Sequence, residues 1–89
     1  METAISKICK ALADPTRLAM LKKLTTVNEM ACQELMKEFS LTQPTLSHHF
    51  NKLVRAGIIT NRKDGVLWYY SLNKRFLKQK GIDIKKLLN

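Results

Sequence analysis

The chain has 89 residues, 45% of them hydrophobic, and a formal net charge of +9. That length holds one domain, spanning residues 1–89, and the apolar fraction excludes a disordered tail. So small a domain buries only about 60% of its unfolded surface, so a second subunit is expected to cover part of the remainder. With three glycines there is no phosphate-cradling loop. No nucleophile–base pair and no paired carboxylates in an apolar setting are visible, which argues against an enzyme and against a cofactor.

Residues 3–13 place Ile5, Ile8, Cys9 and Leu12 at helical spacing. Asp14-Pro15 restarts the chain, because Asp is a good N-cap and Pro suits the first helical position. The second helix runs to Leu24, with Leu18, Leu21 and Leu24 on one face. Thr25 to Asn28 is a polar break, and Glu29-Met30-Ala31 allows a short strand. A third helix to Phe39 turns Leu35, Met36 and Phe39 inward. Ser40-Leu41-Thr42 is a turn with Thr42 as N-cap, and a fourth helix spans 43–56, ended by Gly57 as a left-handed cap.

Ile58 to Lys63 reads as a strand, Asp64-Gly65 as a tight turn and Val66 to Leu72 as the returning strand. Val66, Trp68, Tyr70 and Leu72 alternate on one face. Asn73 caps a last helix carrying Phe76 and Leu77. Gly81 interrupts it before an apolar tail of Ile82, Ile84, Leu87 and Leu88. The fold class is α+β, mostly α. Its order, helix-helix-helix-helix-strand-strand-helix, is that of a winged helix-turn-helix.

Residues 39–63 contain no aspartate or glutamate. Duplex DNA is densely anionic, and Lys/Arg contacts gain affinity by releasing its condensed counterions. In a helix-turn-helix the second helix enters the major groove. With Leu46, Phe50 and Leu53 turned inward, the outer face carries Thr42, Gln43, Thr45, Ser47, His48, Asn51, Lys52 and Arg55. Glutamine suits adenine and serine suits several bases, while Lys52 and Arg55 suit phosphates. Arg62 and Lys63 on the hairpin reach phosphates or the minor groove. A double-stranded DNA partner follows. Adjacent residues on a helix diverge, so His48 and His49 do not chelate one metal. His48 faces outward and His49 packs between helices. Trp68, Tyr69 and Tyr70 pack the wing and core rather than stack on bases.

Three blocks are recognisable: Ala11-Leu12-Ala13-Asp14-Pro15-Thr16-Arg17-Leu18, Leu41 through Leu53, and Ala56-Gly57-Ile58-Ile59 followed by Trp68-Tyr69-Tyr70-Ser71-Leu72. Together they resemble the ArsR/SmtB family over nearly the whole chain. The resemblance implies a homodimeric repressor on an imperfect palindrome, released by a metal or another inducer. It also implies a dimer built from the first and last helices, with Ile5, Ile8 and Leu12 meeting Phe76, Ile82, Ile84 and Leu87. The family's Cys-x-Cys metal pair falls here on Ala31 and Gln33, with Cys32 between them. The alternative site on the last helix lacks histidine, since residues 73–89 contain none. A conventional divalent-metal sensor is therefore not expected, and no metal site is assigned.

The two thiols of Cys9 and Cys32 suit a soft metal such as Cu(I) or an arsenic(III) species, though two ligands make a thin site, and the pair is otherwise read in two ways. They are a redox switch, with Cys32 activated by a helix N-terminus, or they are two small buried hydrophobes. With no signal peptide and no apolar run near 20 residues, a cytoplasmic location is expected. The competing function is a winged-helix module that binds nucleic acid or protein without operator specificity.

Overall fold

The computed structural model describes residues 3–88. The elements are α1 (Ala4–Leu12), α2 (Pro15–Leu24), β1 (Met30–Ala31), α3 (Cys32–Phe39), α4 (Gln43–Arg55), β2 (Ile59–Asp64), β3 (Leu67–Leu72), α5 (Lys74–Gln79) and α6 (Ile84–Leu88). Local capping chemistry sets most of the boundaries. Thr3 Oγ1 accepts from the Ser6 amide at 3.1 Å, and Asp14 Oδ2 accepts from the Arg17 amide at 2.8 Å. Asn73 Oδ1 and Asp83 Oδ1 do the same for α5 and α6. Each side chain satisfies a donor that the first helical turn leaves without an internal partner.

Two left-handed residues shape the helix-turn-helix and its exit. Ser40 ends α3 at φ 52°, and the Leu41 amide reaches back to the Met36 carbonyl at 3.1 Å. Gly57 follows α4 at φ 83°, and the Ile58 amide bonds the Leu53 carbonyl at 3.0 Å. Both are the closing bonds of Schellman caps. At Gly57 a side chain is excluded twice over: the φ is strained for L residues, and a Cβ would sit 2.9 Å from the Phe76 ring.

The sheet is antiparallel in the order β1-β3-β2, with Met30 opposite Tyr70 and Ile59 opposite Leu72. The hairpin turn differs from expectation. Asp64 pairs with Leu67, so the central residues are Gly65 and Val66 rather than Asp64 and Gly65. Gly65 takes φ 63° while Val66 does not enter positive φ, the pattern of a type II′ turn with glycine first. Val66 is thereby pushed into solvent at 88% exposure, and Trp68 is 37% exposed. Of the four residues expected on one buried face, only Tyr70 is buried, because the outer half of the hairpin projects beyond the core. Gly81, at φ 68°, interrupts the last helix as expected, and the apolar tail beyond it forms a second short helix, α6.

The core joins α2, α3, α4 and the sheet: Met20, Leu21, Leu24, Leu35, Leu46, Phe50, Leu53, Ile58 and Ile59 are fully buried. Phe50 stacks on Tyr70 at 4.2 Å between ring centroids. The polar face of α4 is thus fixed by three residues of its own apolar stripe, Leu46, Phe50 and Leu53, rather than by the polar residues themselves.

Candidate nucleic-acid interface

With that stripe buried, α4 exposes Gln43, Thr45, His48, Asn51, Lys52 and Arg55, and Ser47 is half-buried. Thr42 occupies the N-cap position but makes no side-chain cap to the helix. Its hydroxyl donates instead to Thr45 Oγ1 at 3.0 Å, which ties the two threonines together at the start of α4. Among the described residues, no ion pair engages Lys52 or Arg55.

The wing cations are placed differently. Arg62 Nε donates to Glu29 Oε2 at 2.9 Å, and its Nη2 donates to the other carboxylate oxygen. The guanidinium lies 4.4 Å from the Tyr69 ring centroid. The hydrogen bond from Arg62 holds the Glu29 carboxyl below its ordinary range. Arg62, expected to face phosphate, is thus fastened to Glu29, the residue just before β1, and braces the base of the wing. Lys63 lies one residue further out, its ammonium 5.8 Å from the Trp68 ring centroid. The junction of β1 with the wing therefore carries an acid close to the cationic run, a proximity that the linear order concealed.

Behind the face lies a feature that sequence reasoning missed. Arg17 is only 7% exposed. Its Nε donates to the Ala11 carbonyl at 2.7 Å and its Nη2 to the Lys10 carbonyl at 3.1 Å. Its Nη1 lies 3.3 Å from His49 Nδ1. Arginine has donors only, so in this contact the guanidinium is the donor side and the histidine nitrogen the accepting one. Asp14 Oδ2 stands 3.8 Å from the same nitrogen. The hydrogen bond from the Arg17 backbone, foremost, holds Asp14 below its ordinary pKa. Arg17 thus joins the end of α1, the start of α2 and the middle of α4, and His49 packs between helices as expected. The Asp14-Pro15 restart was a signal for the cap, but nothing in the linear pattern marked Arg17 as buried.

The cysteines part company. Cys32 is buried in the first turn of α3, and burial pushes its thiol up, overriding the helix N-terminus that was expected to favour thiolate. Cys9 is exposed on α1, so the pair is not two buried hydrophobes either. Of the residues expected at a dimer interface, Ile8 and Ile84 are already buried within the chain, and Leu12, Phe76 and Ile82 are half-buried. Ile5 and Leu87 are 73% and 63% exposed. No helix among the described residues is long and apolar enough to cross a membrane.

This arrangement is shared with known regulators. Reduced HlyU from Vibrio cholerae superposes with a TM-score of 0.77 at 31% identity, covering 94% of this chain and 84% of that one. The fold and the exposed helix define a winged helix-turn-helix regulator rather than an enzyme. An arsenical resistance operon repressor of Staphylococcus xylosus is 44% identical over 73 residues, 82% of this chain and 69% of its own length. The transcriptional repressor SdpR of Bacillus subtilis is 34% identical over 83% of this chain and 81% of its own. Residues 14–61 match the model of the bacterial regulatory protein, arsR family, and the chain belongs to that family.

Proposed function

We propose that the chain is a homodimeric transcriptional repressor that reads a palindromic operator in double-stranded DNA with α4. The observation that carries this is the outer face of α4, from Gln43 to Arg55, exposed and without an acid. Gln43, Thr45 and Ser47 at its N-terminal end meet base edges, while Lys52 and Arg55 meet phosphates. Lys63 extends the contact at the wing, and Arg62 holds the wing in place.

The two relatives named as repressors support blocking of transcription as the mode of action. Exposed Ile5 on α1 and Leu87 on α6 are apolar side chains left for a second copy to cover. Two-fold pairing sets two recognition helices about one DNA turn apart. The inducer is not a conventional divalent metal. Ala31 and Gln33 stand where the family's cysteine pair would, and burial pushes the Cys32 thiol's pKa up.

The test is fluorescence anisotropy on the duplex upstream of the chain's own gene against a scrambled duplex, with and without reductant. Tight binding to the first duplex only, unchanged by redox state, is expected. Equal, salt-sensitive binding to both would replace the operator reading with a non-specific one. Binding lost on oxidation would return Cys9 and Cys32 to the sensor role.

A further inference from the structure

The contacts of Arg17 fall into two groups with different explanations. Its Nε and Nη2 donate to the Ala11 and Lys10 carbonyls at 2.7 and 3.1 Å. Both carbonyls lie in the last turn of α1, where α-helical partners run out, so these two bonds form a cap and serve stability. The third contact has no such reason. Nη1 lies 3.3 Å from His49 Nδ1 on α4, and capping α1 does not require it.

The shape of the guanidinium makes that contact directional. The group is planar and rigid, so two bonds to α1 also fix where Nη1 points. His49 is half-buried. Asp14 Oδ2 stands 3.8 Å from the same ring nitrogen and accepts the Arg17 amide at 2.8 Å. The imidazole at the middle of α4 is therefore held against groups of α2 that are themselves tied to the end of α1.

The rest of the seat of α4 is apolar. Leu46, Phe50 and Leu53 are fully buried, and apolar burial has no preferred direction. It decides which side of α4 faces the core, but it resists small rotations about the helix axis less sharply than a bond of fixed direction. Those rotations matter on the outer face. With side chains about 5–6 Å from the axis, a turn of about 20° carries a tip by about 2 Å. A hydrogen bond to a base edge tolerates only a few tenths of an ångström about its usual length. A buried charged group is weak evidence for stability, and selecting one packing among several is a use that such groups serve.

We infer that Arg17 and His49 are positioning residues for base reading: their contact sets the rotation of α4, and so which outer side chains reach base edges, without touching the duplex. The inference rests on the function proposed above.

The experiment compares the parent with His49→Leu and His49→Asn. The two substitutes are nearly equal in size and both remove the ring, but asparagine keeps an acceptor oxygen near the place of Nδ1. Neither alters the Arg17 cap on α1. Each protein is bound to the duplex that the parent selects from a randomised pool, and to a scrambled duplex of the same length. His49→Leu should weaken the selected duplex by about tenfold or more, the order of one base contact, and leave the scrambled duplex within about twofold. His49→Asn should return to within about threefold of the parent on the selected duplex. Circular dichroism follows folding, and should His49→Leu not fold, His49→Ala takes its place. Selected-duplex binding untouched by the loss of the ring, both duplexes weakened alike, or equal losses in the leucine and asparagine variants would each overturn the inference and leave α4 as the reader. A parent that selects no duplex from the pool would remove the proposed function and this inference with it.

Discussion

The outer face of α4 and the corner behind it hold the same kinds of residue in opposite states. On the face, Gln43, Asn51, Lys52 and Arg55 are exposed, and among the described residues no ion pair engages the two cations. In the corner, Arg17 is buried and spends its donors on two carbonyls and a histidine of the protein itself. Arg62 at the wing belongs with the corner, because Glu29 and Tyr69 hold it. The difference separates two duties that composition merges. Cations satisfied from within the chain fix the placement of α4 and the wing, while cations left to solvent are available to an anionic partner.

The largest expected effect breaks the corner. Arg17→Met removes the donors to the Ala11 and Lys10 carbonyls and takes from the buried Ala11 carbonyl the donor that Arg17 Nε supplies. Stability measured by urea denaturation should fall by about 2–4 kcal/mol, the range for stranding buried polar groups. Lys52→Ala on the exposed face should move stability by less than about 0.5 kcal/mol. Equal losses for the two would erase the distinction between positioning and contacting cations.

A smaller effect sharpens it at the wing. Glu29 has a depressed pKa in the folded chain, so its contribution is fully present above the ordinary carboxylate value of 4.5 and is lost as pH falls through the depressed one. The pair is exposed, so the global effect is slight. Hydrogen exchange of β2 and β3 amides should accelerate on acidification, after correction for intrinsic rates, and Glu29→Gln should remove that dependence. An identical pH profile in the variant would show that the wing is not held by this pair.

How far all this was readable from the chain depends on whether the cause is local. Caps and periodicity act over four residues, so Asp14-Pro15, Asn73 and the Leu46-Phe50-Leu53 stripe placed their helices within a residue or two. The turn at Gly65-Val66 escaped because an Asp-Gly pair favours one turn type, and pairing of Asp64 with Leu67 selected another. The outer face of α4 followed from its inner one. Arg17 did not, since its burial depends on carbonyls at the end of another helix and a histidine 32 positions away. The Arg62–Glu29 pair spans 33 positions, and strand pairing of β1 with β3 is what brings the wing to it. Cys32 shows the same limit: its place at a helix start was local, and its burial was not.

The central claim is that Gln43 reads a base while Lys52 only holds the backbone. Selection from a randomised duplex pool, run in parallel on the parent, Gln43→Ala and Lys52→Ala, tests it most directly. The account predicts that Gln43→Ala loses preference at one base position per half-site, worth about 1–3 kcal/mol of discrimination. Lys52→Ala should keep the parent's preference while weakening every duplex alike. Unaltered preference in Gln43→Ala would contradict the placement of α4 in the major groove.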